Sequence, residues 1–262
     1  MILLTKEWIR TILKTTLSKV SVVITAAGSS TRIGGGIKKE YLPLENGTVL
    51  SRCAKTFLNA LVPFYSLVNF TVTYPEGKNQ KEAEEALFCD SELKFMLEES
   101  KININFAEGG KSRQESVYKA LLNVEQTGCN ADIVLIHDGA RPFVTETVIK
   151  NVVSAIFEYG AAVPGLTPVD TQKEIDSDGF IVRHLVRSSL CAVQTPQGFD
   201  FKKILDAHKK AALDKTEYTD DTEIWGKYCG RVKVVEGSDR NIKITYPSDL
   251  DKIKQTAFEA RK

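Results

Sequence analysis

Three short stretches of this chain carry residue types suited to phosphate chemistry. The first runs Ala26-Ala27-Gly28-Ser29-Ser30-Thr31-Arg32 and on through Gly34-Gly35-Gly36 to Lys38-Lys39, directly after the apolar run Val20 to Ile24. Small residues let a backbone close around a polyphosphate, so that its N–H groups reach oxygens a larger side chain would screen. Arg32 and Lys39 add formal charge. Two cations beside the amides suit a site where negative charge grows during reaction, as in phosphoryl or nucleotidyl transfer. The stretch is not a dinucleotide fingerprint, because Ser30 stands where G-x-G-x-x-G needs its second glycine. The phosphate-loop ATPase pattern also fails, since Ile33 occupies the second glycine position and no Gly-Lys-Ser/Thr follows. A tight turn without a ligand is the plain alternative.

The second stretch ends an apolar run, Ile133 to Ile136, in His137-Asp138-Gly139-Ala140-Arg141-Pro142. It sets an imidazole, a carboxylate and a guanidinium within five residues, groups that are costly to bury unpaired. An Asp138–Arg141 ion pair fixing the turn is one reading. A contact to a sugar hydroxyl or a phosphate is the other, favoured by a position at the carboxyl end of a strand. The third stretch, Gly109-Gly110-Lys111-Ser112-Arg113-Gln114-Glu115-Ser116, opens a helix and offers amides and two cations at its positive end. Ser112 with Glu115 also fits a capping box, leaving Gly110 and Ser116 to bond a base edge. Asp220-Asp221-Glu223 suits a Mg²⁺ ion or simply a helix N-terminus. His184 and His208 read as surface or satisfied-core residues, and Lys243 as a lysine alternating out of an apolar strand, Asn241 to Thr245.

The elements that must position these groups alternate. Strand patterns at Val20–Ala26, Leu67–Tyr74, Ile102–Phe106, Ile133–Ile136 and Ala161–Gly165 are interleaved with helical ones at Val49–Leu61, Lys81–Glu98, Ser112–Leu122 and Glu146–Tyr159. That is an α/β, Rossmann-like, mainly parallel sheet with helices on both faces, whose ligands sit beyond the carboxyl ends of the strands. All three stretches fall there. Residues 168–195 break the alternation with an extended arm, turning at Asp176-Ser177-Asp178-Gly179 between Lys173–Ile175 and Phe180–Val182. A two-stranded ribbon is marginal alone, so a second subunit is the expected support. Helices at Phe201–Ala212 and Thr219–Lys227, a strand at Val232–Val235 and a final helix after Pro247 complete the expectation.

The chain has 262 residues, 42% apolar and 26% charged, with a formal net charge of +1. This suits one globular domain, residues 20–262, behind an N-terminal extension, residues 1–19, and disfavours a nucleic-acid-coating surface. Lys6, Glu7, Arg10 and Lys14 interrupt any signal-like apolar run at the start. Five scattered cysteines without a C-x-x-C pair argue against a zinc site or a disulfide framework, as in a cytoplasmic protein with no membrane span.

Taken in order, these segments resemble the 2-C-methyl-D-erythritol 4-phosphate cytidylyltransferases of the non-mevalonate isoprenoid pathway. The matching pieces are Ala26–Arg32 with Lys39, Gly109–Val117, His137–Pro142, Pro164–Lys173, Ala192–Phe199, Thr219–Glu223 and Gly237–Leu250. The resemblance implies a nucleotidyltransferase fold, a homodimer joined through the arm, CTP as co-substrate, and Mg²⁺ held mainly by the CTP phosphates rather than by side chains. Ala26, Ala27, Gly28, Gly110, Ser116 and Gly139 would line the CTP site. Arg32 and Lys39 would stabilise the transition state, and with Arg187 and Lys243 they would form the catalytic set, Arg32, Lys39 and Lys243 also touching the nucleotide. Asp138, Arg141, Thr171, Thr195 and Lys243 would contact methylerythritol phosphate, with Arg187 reaching in from the partner's arm.

Departures from the family pattern are Thr25 for a frequent proline, Lys111 for an acidic residue, Gly139 for alanine, and a first twenty residues without counterpart. The stretch after Pro247 has room for only a final helix, so a second pathway enzyme is not expected. Rival readings are a polyol-phosphate cytidylyltransferase acting on ribitol 5-phosphate, which shares the CTP loops, and a nucleotide-sensing module without turnover. An NAD-dependent oxidoreductase is disfavoured by the missing fingerprint.

Overall fold

The structure is a computed structural model that describes residues 18–30, 32–33, 38–214, 216–250 and 253. The extension expected at residues 1–19, apart from its last two residues, lies outside the described residues, as do Thr31, Gly34–Gly36 and most of the helix expected after Pro247.

At the centre lies β1 (Lys19–Thr25), flanked by β4 (Ser66–Tyr74) and β6 (Ile133–Asp138), both parallel to it, with β5 (Ile104–Glu108) parallel at the outer side of β4. Alternation in β1 and β6 divides the core. Val20, Val22, Ile24 and Leu135 join one cluster with α1 (Val49–Leu61), α2 (Gln80–Phe88), α3 (Ser91–Ser100) and α5 (Glu146–Tyr159). Val23, Val134 and Ile136 join another with α4 (Arg113–Gln126), α6 (Phe201–Ala211) and α7 (Asp221–Tyr228). β-Branched residues dominate β1 and β6 because both faces are covered.

The sheet is mixed beyond β6. There β11 (Gln197–Asp200) runs antiparallel between β6 and β7 (Ala161–Leu166), and β7 also pairs with β10 (Ala192–Val193) antiparallel and β12 (Lys233–Glu236) parallel. The parallel expectation therefore holds for the half that carries the three loops. The small hairpin of β2 (Pro43–Leu44) and β3 (Gly47–Thr48) leads into α1. The arm is a separate ribbon of β8 (Lys173–Ile175) and β9 (Ile181–His184), exposed throughout.

Two local expectations need correction. The helical pattern from Lys81 to Glu98 is two helices, because the Asp90 carboxylate accepts the Leu93 N–H at 3.1 Å and restarts the chain as α3. Buried against Lys55 at 3.0 Å and Ser51 at 3.0 Å, Asp90 is held as a cap and cannot continue α2. Asn241 to Thr245 is not a strand. It is an extended segment laid over the turn after β6, with Ile244 N–H donating to the Ala140 carbonyl at 2.9 Å. No helix among the described residues is long and apolar enough to cross a membrane.

Candidate active site

Register brings the loops together. Thr25 pairs with Asp138 at the ends of β1 and β6, and Tyr74 pairs with Glu108 at the ends of β4 and β5, so all four strands stop along one rim. Gly139 N–H donates to the Thr25 carbonyl at 2.9 Å, and Thr25 Oγ1 donates to the His137 carbonyl at 3.3 Å. Thr25 thus ties the two strand ends together. The Ala26 N–H binds Thr73 Oγ1 at 2.9 Å, closing the third side. A β-carbon on Gly109 would lie 2.3 Å from that of Ala27, so only glycine lets the first and third loops touch. At Gly28 a β-carbon would meet nothing within 4 Å among the described residues.

Beneath the rim a small apolar cluster joins Ile33, Leu44, Val49, Ala140, Phe143 and Ile244. It fastens the cationic loop, the turn after β6 and the Lys243 segment to one another. Arg32 lies with its guanidinium 5.9 Å from the centre of the Tyr246 ring, close enough for a cation–π contact across these segments. Burial lowers the affinity of the Lys39 ammonium for its proton; Glu40 and Asp138 oppose this while Lys243 and Arg32 reinforce it. Lys39, Arg32, Lys243 and Asp138 thus share one electrostatic environment. Neighbouring Lys38 has a different task, donating to the Gly28 carbonyl and pairing with Glu40 at 3.3 Å, which latches the loop.

Asp138 is the hub of this environment. Its carboxylate meets Lys243 at 2.8 Å, Arg141 at 3.5 Å and Arg113 at 3.8 Å. Burial alone would raise its pKa, but Lys243, Arg113 and Arg141 together hold it well below the usual carboxylate range. Arg141 also donates to the Asn241 carbonyl at 2.7 Å, and Asn241 donates to the Thr195 carbonyl at 2.8 Å, so the Lys243 segment is stitched down on both sides.

His137 has a defined tautomer. Its Nε2 faces the Arg141 carbonyl at 3.1 Å, which only accepts, so Nε2 carries the hydrogen. Nδ1 then accepts from the Thr195 hydroxyl at 3.0 Å, and that oxygen accepts the Asp138 N–H at 3.1 Å. Phe57 packs edge-on against the ring at 5.0 Å. Burial pushes the imidazole down to about 4, with Asp138 pulling the other way.

The unfolded chain protonates this group near 6.5. Between about 6.5 and 4 the unfolded state binds the extra proton, so stability falls as pH drops through that window. The expected loss is about 3 kcal/mol for this group alone. Urea unfolding between pH 7 and pH 4 checks it, and His137→Gln should flatten the slope; equal slopes would assign the effect elsewhere.

A sequence model of the 2-C-methyl-D-erythritol 4-phosphate cytidylyltransferase family matches residues 20–256. The chain belongs to that family. A cytidylyltransferase of this name from Clostridium beijerinckii is 40% identical over 234 residues, covering 88% of this chain and 95% of the relative. One from Clostridium botulinum is 37% identical over 232 residues, covering 88% and 96%. Among solved structures, 4-diphosphocytidyl-2C-methyl-D-erythritol synthase from Anaerococcus prevotii superposes with a TM-score of 0.74 at 25% identity, covering 97% of this chain and 99% of its own. The cytidylyltransferase of Thermus thermophilus gives a TM-score of 0.69 at 29% identity, covering 92% and 99%.

Of the residues expected in a family site, Ala26, Ala27, Gly28, Arg32, Lys39, Gly110, Ser116, Asp138, Gly139, Arg141, Thr195 and Lys243 lie on the rim or the segments stitched to it. Ser116 Oγ accepts the Gly110 N–H at 2.9 Å and donates to the Ser112 carbonyl at 2.8 Å, so here it shapes its loop. Ser112 caps α4, but the Glu115 carboxylate binds the Lys111 N–H at 2.9 Å instead of completing a capping box. Thr171 and Arg187 stand apart on the exposed arm, where Arg187 donates to the Val169 carbonyl at 2.8 Å.

The acidic run is fully engaged. Asp220 caps α7, Asp221 is buried against Arg113 and His208, and Glu223 binds Thr219. It takes the helix-terminus reading. Arg113 is a site residue that the sequence reading noted only as one cation of a loop. Its place beside Asp138 depends on contacts between residues more than a hundred positions apart, which no local pattern signals.

Proposed function

We propose that this chain transfers the cytidylyl group of CTP to 2-C-methyl-D-erythritol 4-phosphate and releases pyrophosphate. The observation that carries the reading is the convergence of Lys243, Arg141 and Arg113 on the Asp138 carboxylate, with Lys39 in the same electrostatic field, beside the glycine loop that carries Arg32. In this reading CTP lies along Ala26, Ala27, Gly28, Gly110 and Gly139, and the acceptor lies against Asp138, Arg141 and Lys243, with Thr195 setting the turn.

The acceptor phosphate is largely dianionic near neutral pH and attacks without a general base. One of its oxygens forms a bond to the α-phosphorus of CTP while the bond from that phosphorus to the bridging oxygen breaks, in line, and pyrophosphate departs with the electron pair. The task left to the protein is positioning and charge neutralisation. Arg32 and Lys39 follow the charge that develops on the α-phosphate and the leaving group. Mg²⁺ supplies further neutralisation when carried on the triphosphate. The side chains here do not make a protein-side site for it: among the described residues no group of three His, Cys, Asp or Glu could hold a metal, and Asp138 is held by cations. No step above is therefore routed through the ion.

The dimer belongs to the same reading. The arm exposes Val169, Ile175, Phe180, Ile181, Val182 and Val186, each more than half accessible, an apolar surface that a second copy would cover. Arg187 then serves the partner's crevice. Sedimentation should give twice the chain mass, and Arg187→Ala should keep the dimer but lose acceptor turnover at least tenfold. A fully active monomer would contradict this. The five thiols are unpaired, which agrees with a cytoplasmic enzyme.

The direct test incubates the protein with CTP, Mg²⁺ and methylerythritol phosphate and identifies the product. Diphosphocytidyl-methylerythritol with stoichiometric pyrophosphate is expected, at a kcat/KM well above that for ribitol 5-phosphate. The reverse preference would move the acceptor assignment.

A further inference from the structure

Behind Asp138 lies a chain of buried charge that the transfer reaction, as derived above, does not use. Arg113 opens α4 and divides its guanidinium. Nη2 donates to Asp221 Oδ2 at 2.7 Å, while Nε stands 3.8 Å from Asp138 Oδ1. Asp221 opens α7 and is wholly buried; its Oδ1 lies 3.2 Å from His208 Nε2, and its N–H donates to Gln197 Oε1 at 3.0 Å. His208, on α6, is also wholly buried and stacks on Tyr118 at 6.2 Å and 12°. Among the described residues its Nδ1 has no partner, and the Nε2–Asp221 bond is the one polar contact the ring makes. Three helices thus contribute one residue each to a line that ends at the hub of the crevice.

Such a line is an unusual choice for stability alone, since replacing a buried ion pair by apolar residues of similar volume is often neutral or stabilising. Its geometry has a more specific consequence. Lys243 and Arg141 both approach Asp138 Oδ2. The short Arg113–Asp221 bond keeps the guanidinium from swinging onto Oδ1 and closing the 3.8 Å gap. Oδ1 therefore keeps accepting capacity.

We infer that Asp221 and His208 are positioning residues of the transfer reaction, which hold Arg113 away from Asp138 so that one carboxylate oxygen stays open to a hydroxyl of the acceptor. The inference rests on the acceptor placement proposed above. Without Asp221 the one carboxylate still within 4 Å of the guanidinium among the described residues is Asp138, Asp220 acting from farther off, so the guanidinium turns onto Oδ1 and occupies the acceptor's place. CTP, held by the amides of the glycine loops and by Arg32 and Lys39, is not affected. His208 acts one step further back, because its Nε2–H fixes the Asp221 carboxylate that anchors Arg113.

The test compares Asp221→Asn, His208→Phe and His208→Gln. Phenylalanine keeps the stacked ring and removes the donor, whereas the glutamine amide presents a donor near the position of Nε2. Asp221→Asn and His208→Phe are expected to raise the KM for methylerythritol phosphate tenfold or more with the KM for CTP changed less than twofold, and His208→Gln to recover most of the loss. A role in folding alone would lower melting temperature and active fraction without separating the two KM values. An unchanged acceptor KM in Asp221→Asn, or equal impairment by His208→Gln and His208→Phe, would overturn the proposal.

A measurement on the unmodified protein covers the case of unfolded variants. In ¹⁵N-histidine spectra the His208 Nε2–H resonance should shift on adding methylerythritol phosphate, and the absence of a shift in an enzyme that turns over would equally overturn it. Wild-type product formation is read separately. Its failure would remove the reaction, whereas normal wild-type turnover with an unmoved acceptor KM in Asp221→Asn removes only the positioning role.

Discussion

Arg32→Ala and Lys39→Ala should each leave a folded protein whose kcat is lower by about a hundredfold to a thousandfold, equivalent to about 2.7–4 kcal/mol of transition-state stabilisation. Arg32 is exposed, and its one ring contact, to Tyr246, contributes little to folding. Lys39 loses proton affinity mainly through burial, with the attraction of Glu40 and Asp138 set against the repulsion of Lys243 and Arg32, so its removal should change the melting temperature little. The loss should appear in kcat more than in KM, because the charge these groups meet develops along the reaction path. Lys39 adds a signature in pH. In the free enzyme its ammonium deprotonates below the usual lysine range, whereas bound triphosphate favours the charged form. The alkaline limb of kcat/KM should therefore lie at lower pH than that of kcat, and Lys39→Arg should move the first limb upward. Pyrophosphate release under steady state, with thermal melts alongside, measures all of this. Near-wild-type kcat in both alanine variants would remove the catalytic assignment.

Asp138→Asn is expected to damage both stability and activity. The carboxylate neutralises Lys243, Arg141 and Arg113 at the end of β6 while only 7% exposed. Neutralising it leaves three cations facing one another in a partly dry space, and breaking a buried pair in this way costs about 3–5 kcal/mol. For a domain of this size that lowers Tm by roughly 10 °C. The pH dependence has a definite sign. A carboxyl whose folded pKa is depressed contributes stability above its unfolded value, near 3.9, and loses that contribution as pH falls toward the folded value. The wild-type advantage over Asp138→Asn should therefore be full near neutrality and shrink below about pH 4. Activity should fall at least a hundredfold, since the acceptor loses its contact and Lys243 its anchor. An Asp138→Asn protein that melts and turns over like the wild type would sink this account of the hub.

Much of this was legible along the chain. The α1 and α5 boundaries, Val49–Leu61 and Glu146–Tyr159, follow from apolar spacing, and the threonines that precede them act as caps. The loops at Gly28, Gly109 and His137 were readable as one crevice because parallel strands leave their carboxyl ends on a common rim. The helix break at Asp90 was not, since a buried carboxylate paired with Lys55 interrupts a periodicity that otherwise continues. Lys243 illustrates the same limit. Alternation suggested a strand, yet Asn241 and Ile244 are bound to Thr195 and Ala140, neighbours only in space.

Hydrophobic period, small-residue loops and charge types are local properties, and by themselves they determined the layered α/β architecture and the phosphate chemistry, while the family came from the resemblance of whole motifs in order. Which cation touches which carboxylate was decided by tertiary structure alone. Arg113, Asp138, Asp221, His208 and Lys243 lie on five different segments, and the geometry among them exists only once sheet register and helix packing have brought those segments together. Coulomb energy depends on separation in space and on local solvent, and sequence order carries neither.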